Sequence, residues 1–241
     1  MTSEPKAPGA PAVYLYREVV RDDASRLTRV SYYFRLKVLT EEGQKYANIE
    51  IPFNKRYEAV EDIKARVIHP DGSVLEFHGI VSEKELVKPV GAKSHAKNLA
   101  VPDVRIGSIV EYRYAIRLVV APSSRQVTAP DPGGNFFPTD VYEETGLRPH
   151  WNWVLNAEMF TKRAKFTLKK YPVLELRWSW PAGLPPGTQP PKQVGDCTPS
   201  GGVPSSCLIQ IETHDIPALT QEKKYYVHFA YYDPVSHVPW N

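Results

Sequence analysis

From Val110 the chain alternates through Leu118 and ends on Val119 and Val120. Val110, Tyr112, Tyr114, Ile116, Leu118 and Val120 are apolar or aromatic, and Glu111, Arg113, Ala115 and Arg117 fall between them. Strand side chains point to opposite faces in turn, so this period of two predicts a β-strand with one dry face and one wet face. Pro102, Asp103 and Gly107 punctuate the approach, where a fixed φ and a permissive φ turn the chain. Such a strand needs partners, and the rest of the chain reads as a supply of them.

Residues 14–20 predict a first strand. Residues 28–39 predict a stronger one, with Val30, Tyr32, Phe34, Leu36 and Val38 on one face. Glu41, Glu42 and Gly43 turn the chain into a strand over 46–53, which gathers Ala47, Ile49 and Ile51. Residues 54–62 are the best helix candidate, one or two turns capped by Asn54. Strand patterning resumes over 63–69. Pro70-Asp71-Gly72 then predicts a hairpin, because Asp-Gly tolerates the positive φ of a tight primed turn. A two-residue Asp71-Gly72 loop sets Ile68 opposite Leu75 and Arg66 opposite Phe77. Residues 81–95 are charged and read as a loop or short helix, and residues 121–141 as a long connector.

Further strands are predicted over 151–160, 164–170, 173–180 and 208–213, with a Pro/Gly-rich loop over 181–206 and a final aromatic run over 225–232. The 23 prolines are hostile to long helices. The expectation is an all-β chain: an antiparallel β-sandwich, immunoglobulin-like or larger, with at most two short helices. Residues 1–12 read as a disordered tail, 13–222 as the sandwich domain, and 223–241 as an aromatic linker or strand leading onward. A formal net charge of +3 is too close to neutral to point to nucleic acid. No run reaches the ~18 apolar residues of a membrane-spanning helix.

Cys197 and Cys207 lie ten apart in the Pro/Gly/Ser-rich segment. A local disulfide is the favoured reading and implies an oxidising compartment; two unpaired thiols in a reducing cell are the alternative.

Three blocks carry a resemblance. They are Ala65-Arg66-Val67-Ile68-His69-Pro70-Asp71-Gly72-Ser73-Val74, the stretch Val101-Pro102-Asp103-Val104-Arg105-Ile106-Gly107-Ser108-Ile109-Val110-Glu111-Tyr112-Arg113-Tyr114, and Asp215-Ile216-Pro217-Ala218-Leu219 with Glu222. Together they resemble the bacterial domain-of-unknown-function family found N-terminal to transglutaminase-like domains in exported proteins. The resemblance implies a β-sandwich, a periplasmic or secreted location and a transglutaminase-like cysteine domain downstream. It supplies no catalytic residues, and no cofactor is expected.

Gly195-Asp196-Cys197 looks like the setting of a transglutaminase nucleophile at a helix start, but Pro199, Gly201, Gly202 and Pro204 follow and no helix propagates through them. The seven histidines show no metal spacing. Trp151 with Trp153, and Trp178 with Trp180, project from single strand faces and could each make a platform for sugar rings; the alternative is core packing. Lys162, Arg163 and Lys165, with Lys169 and Lys170, read as a solvated strand edge.

The reading is therefore a non-catalytic accessory module that positions or presents substrate to a downstream transglutaminase-like domain. Trp151, Trp153, Tyr225 and Tyr226 are its candidate contact residues. The alternatives are a stand-alone glycan- or peptidoglycan-binding module and, behind it, a cysteine enzyme using Cys197.

Overall fold

The computed structural model describes residues 3–25, 27–87, 93–119, 150–171, 174–180, 184, 188–195, 197, 207–219 and 224–232. Among them lie fourteen strands: β1 (Ala12–Asp22), β2 (Arg29–Val38), β3 (Asn48–Phe53), β4 (Glu58–Ile68), β5 (Val74–Glu76), β6 (Ser82–Val87), β7 (Lys93–Ala100), β8 (Ile109–Leu118), β9 (His150–Val154), β10 (Thr161–Lys169), β11 (Glu175–Ser179), β12 (Lys192–Val194), β13 (Leu208–Ile216) and β14 (Tyr226–Tyr232). A single 3-10 helix, Glu41–Ala47, joins β2 to β3. Eight strands form one long sheet in the order β12-β13-β10-β1-β2-β8-β4-β5. Two three-stranded sheets, β11-β14-β9 and β3-β7-β6, complete the fold.

The alternation in β2 and β8 explains the layering. Val30, Tyr32, Phe34 and Leu36 pair with Ile116, Tyr114, Tyr112 and Val110 across the ladder, so all eight share one face. Toward β4 that face packs on Ile49, Ile51 and Leu99 of the β3-β7-β6 sheet. Toward β13, Phe166, Leu168, Ile209 and Ile211 pack on Trp153, Val227 and Phe229 of the other small sheet. Each such large side chain contributes about 1.5–3 kcal/mol on burial. The long sheet is thus one layer, and the two small sheets cover its inner face. The result is the sandwich-like all-β architecture the alternation predicts.

Several local expectations give way to the structure. β1 and β10 run parallel, Arg17 opposite Ala164 and Val19 opposite Phe166, so the sandwich is not wholly antiparallel. Asn54 nucleates only a turn: its side chain accepts from the Arg56 N–H, and its carbonyl accepts from the Tyr57 and Glu58 N–H groups before β4 begins. Residues 81–95, read as loop or helix, carry β6 and the start of β7. Their Glu/Lys-rich sequence lacks apolar alternation because β6 is an edge strand.

The hairpin at Pro70-Asp71-Gly72 forms, but one residue out of the expected register. His69 N–H donates to the Ser73 carbonyl, so Pro70, Asp71 and Gly72 are a three-residue loop closed by Gly72 at φ 87°. Ile68 therefore faces Val74, and Arg66 faces Glu76.

Residues 3–11, read as a tail, lie against the sheet: Glu4 is 4 % exposed and pairs with Lys162, and Ala7 and Ala10 pack on Val13, Leu39 and Phe160. Within 223–241, read as an aromatic linker or strand, β14 is the middle strand of its small sheet. The cysteines are joined, Cys197 to Cys207, which ties the end of β12 to the start of β13. The expected connector at 121–141 lies outside the described residues.

Candidate functional site

Two of the sequence blocks meet at the β5 end of the long sheet. A Cβ on Gly107, at φ 88°, would stand 3.2 Å from the Pro70 ring, so glycine permits both the backbone angle and the approach. Asp103, itself at φ 54°, accepts both prongs of the Arg105 guanidinium at 2.9–3.0 Å, and His69 Nε2 lies 3.5 Å from its other oxygen. These contacts brace the loop before β8. They set the register that carries Glu111 and Arg113 onto the outer, wet face.

On that face Glu111 is the centre of a network. Its side chain is 6 % exposed, covered by Arg35 Nε at 2.7 Å and Arg66 Nε at 2.5 Å, and its carboxylate accepts from the Tyr33 hydroxyl at 3.0 Å. Burial, then the neighbouring Glu111 charge, pushes the Tyr33 phenol above its ordinary value. The same carboxylate holds the Arg66 guanidinium above its own. A hollow of about 270 Å³ opens beside this network.

A larger hollow, about 540 Å³, adjoins it and shares Tyr33, Lys64 and Arg113 with the first. A bulge in β4 makes it. Glu61 pairs with Ala115 and Lys64 with Arg113, so three steps of β4 match two of β8. Asp62, within the bulge, takes φ 55° and turns its carboxylate to Arg29. Ser31 and Ala115 give the hollow small residues, and Arg29, Lys64 and Arg113 give it cations. Among the described residues no histidine or cysteine lines either hollow; they offer the cations and hydroxyls above beside the carboxylates Glu76 and Glu111 in the smaller and Glu18 and Asp62 in the larger.

The sequence candidates lie elsewhere. Trp151 faces Phe229 and Trp153 faces Val227 in the β9–β14 ladder, and both rings turn inward. Trp153 is 4 % exposed and meets Phe229 edge-on at 4.6 Å, while Trp151 stacks on Phe229 at 4.4 Å beneath the Arg21 guanidinium. They are not an open platform: the covering sheet needs its apolar face against the core. Tyr225 packs on the same core, and its N–H donates to Asn156 Oδ1 at 3.1 Å. Tyr226 stacks beside His228, which shares a 2.5 Å hydrogen bond with Asn152 and borders a third hollow of about 330 Å³. The four residues therefore do not converge on one site. The Lys64–Arg113 hollow was missed because cross-strand register, not local sequence, assembles it.

The family described as a domain of unknown function with solved structure, DUF3857, matches residues 24–198. No curated protein matches. Among solved structures, a Parabacteroides distasonis protein described as a "putative protease" superposes with a TM-score of 0.59 at 13 % identity, over 92 % of this chain and 40 % of that one. Two structures of leukotriene A4 hydrolase from Saccharomyces cerevisiae, one with bestatin, align at 13 % identity with TM-scores of 0.39 and 0.41. They cover 91 % and 92 % of this chain and 28 % and 29 % of theirs. The chain spans less than half the length of the structures it resembles.

Proposed function

Because this chain belongs to the DUF3857 family, whose name specifies no chemistry, we propose from its geometry that it is a non-catalytic recognition module. In this reading it positions or presents substrate to a transglutaminase-like cysteine domain of the same polypeptide, in a periplasmic or secreted protein. One observation carries the proposal: the same fold makes up 40 % of a longer protein described as a protease. The disulfide supports an oxidising compartment. It also argues against the cysteine-enzyme alternative, since a sulfur already bonded to Cys207 is no thiolate nucleophile. The glycan-platform alternative loses its exposed tryptophan pair to the core.

The test uses the polypeptide encoded after Asn241, produced separately and titrated calorimetrically with residues 1–241. Saturable binding to a domain with a cysteine–histidine–aspartate constellation is expected. A downstream sequence without such a domain, or one that neither binds nor is altered in activity by this chain, overturns the reading.

A further inference from the structure

Most of the arginines on the outer face of the long sheet are paired with carboxylates. Arg35 and Arg66 share Glu111, Arg163 takes Glu212, and Lys169 takes Asp22. Arg29 and Arg117 stand opposite each other in the β2–β8 ladder, yet each is neutralised, by Asp62 and Glu61. Lys64 and Arg113 break this pattern. They are direct cross-strand partners, both exposed, and neither pairs with a carboxylate among the described residues. Cross-strand neighbours bring their Cβ atoms to about 4.5–5.5 Å, where like charges repel. The next residue along the row is Tyr33, not an acid.

The hollow holds three cations, Arg29, Lys64 and Arg113, against two carboxylates, and neither carboxylate pairs with Lys64 or Arg113. Asp62 holds Arg29, and Glu18 is hydrogen-bonded to Tyr16. The Ser31 hydroxyl accepts from Arg29 Nη1 at 3.0 Å, which leaves its own hydrogen to donate. An arginine fork, a lysine point charge and a hydroxyl donor therefore border one 540 Å³ hollow, a volume in the range of small-ligand sites. The β4 bulge that shapes it holds a non-glycine residue at positive φ, a strain of the kind that collects at binding sites.

We propose that Lys64 and Arg113 form a seat for an oxyanion, the phosphate or carboxylate group of a ligand whose remainder lies along the hollow. The seat deepens the recognition reading by naming the chemistry it recognises. A face serving solubility alone would alternate sign at this pair, as the adjoining Arg35–Glu111–Arg66 row does.

Amide shifts of the chain are followed by NMR at low salt, in phosphate-free buffer, during titration with glycerol 3-phosphate and, separately, glucuronate. Saturable shifts confined to the β2, β4 and β8 residues around Ser31, Lys64 and Arg113 are expected, weakening as salt rises. The K64Q/R113Q variant should bind at least tenfold more weakly, and K37Q, on the same face outside the hollow, should bind as wild type. Preference for the phosphate assigns a phosphorylated ligand, preference for glucuronate an acidic sugar, and equal binding an oxyanion alone. Thermal melting gives a second readout: with the repulsion relieved, the double variant should melt no lower than wild type. Shifts with neither probe, shifts away from the hollow, or binding unchanged in the double variant overturns the seat. That failure leaves the non-catalytic reading standing, just as catalysis by this chain alone would leave the seat standing.

Discussion

The Tyr231 hydroxyl donates to Asp23 Oδ2 at 2.9 Å and accepts from the Tyr171 N–H at 3.1 Å, joining β14 of a covering sheet to the end of β1. Asp23 also receives Arg21 Nε at 2.9 Å on both oxygens, and the Arg21 guanidinium lies 4.4 Å from the Trp151 ring. A phenol, a carboxylate and a guanidinium thus satisfy one another where the two layers close. Replacing Tyr231 with Phe leaves a buried carboxylate short of one donor and the Tyr171 N–H without its acceptor. Chemical denaturation should show a loss of about 1–3 kcal/mol with an unchanged m-value.

Glu111 tests the outer network in the same way. In E111Q the charge that holds Arg35 and Arg66 is gone, and Tyr33 is left beside a neutral amide. Both arginines are partly solvated, at 39 % and 44 % side-chain exposure, so water replaces part of what is lost. A decrease of about 1–2 kcal/mol is expected, read as a lower denaturation midpoint.

Alkali should unfold this protein through its tyrosines. Burial pushes the Tyr16 and Tyr32 phenols up to about 12, and it raises Tyr14, Tyr112 and Tyr114 as well. A phenol whose pKa is higher folded than unfolded favours folding while it keeps its proton. Its contribution is complete below the ordinary value of 10.0 and is lost as pH rises through about 12. Stability should therefore be flat up to pH ~10 and fall steeply above it. Absorbance at the phenolate band should rise together with loss of β-sheet circular dichroism. Tyrosines that ionise near 10 with the fold intact would refute the burial assigned to them.

The disulfide should be structural. Reduction, or C197S/C207S, should cost about 2–4 kcal/mol by releasing the loop between β12 and β13. A thiol count without reductant should read zero in both native and denaturant-unfolded chain.

Trp153 should behave as core. W153A empties a site against Phe166 and Phe229 and should cost about 3–5 kcal/mol. A variant that stays as stable as wild type yet loses glycan binding would restore the platform reading.

What the sequence makes legible is local, and what it hides is not. The alternation in β2 and β8 announces both strands and assigns Tyr32, Tyr112 and Tyr114 to the inner face, since period two needs no tertiary knowledge. Pro70-Asp71-Gly72 announces a hairpin, but whether Pro70 joins the loop decides the register, and one residue moves Arg66 from Phe77 to Glu76. Glu83, Lys84 and Glu85 hide β6 because a charged edge strand carries no apolar stripe. The Lys64–Arg113 pairing is set by a bulge in β4 and by pairing across 49 positions of sequence, and no short window contains it. Trp151 and Trp153 show why aromatic spacing alone misleads: two rings on one strand face mark a platform or a core, and only the layer opposite decides.

The proposed function is recognition, with chemistry left to a partner domain. The most direct measurement is catalysis by residues 1–241 alone, purified without reductant and then with it. Casein hydrolysis and incorporation of a fluorescent primary amine into casein are the two assays. The account predicts neither activity in either state, with turnover appearing only when the downstream domain is present. Turnover by the chain alone that is abolished in C197S would contradict it.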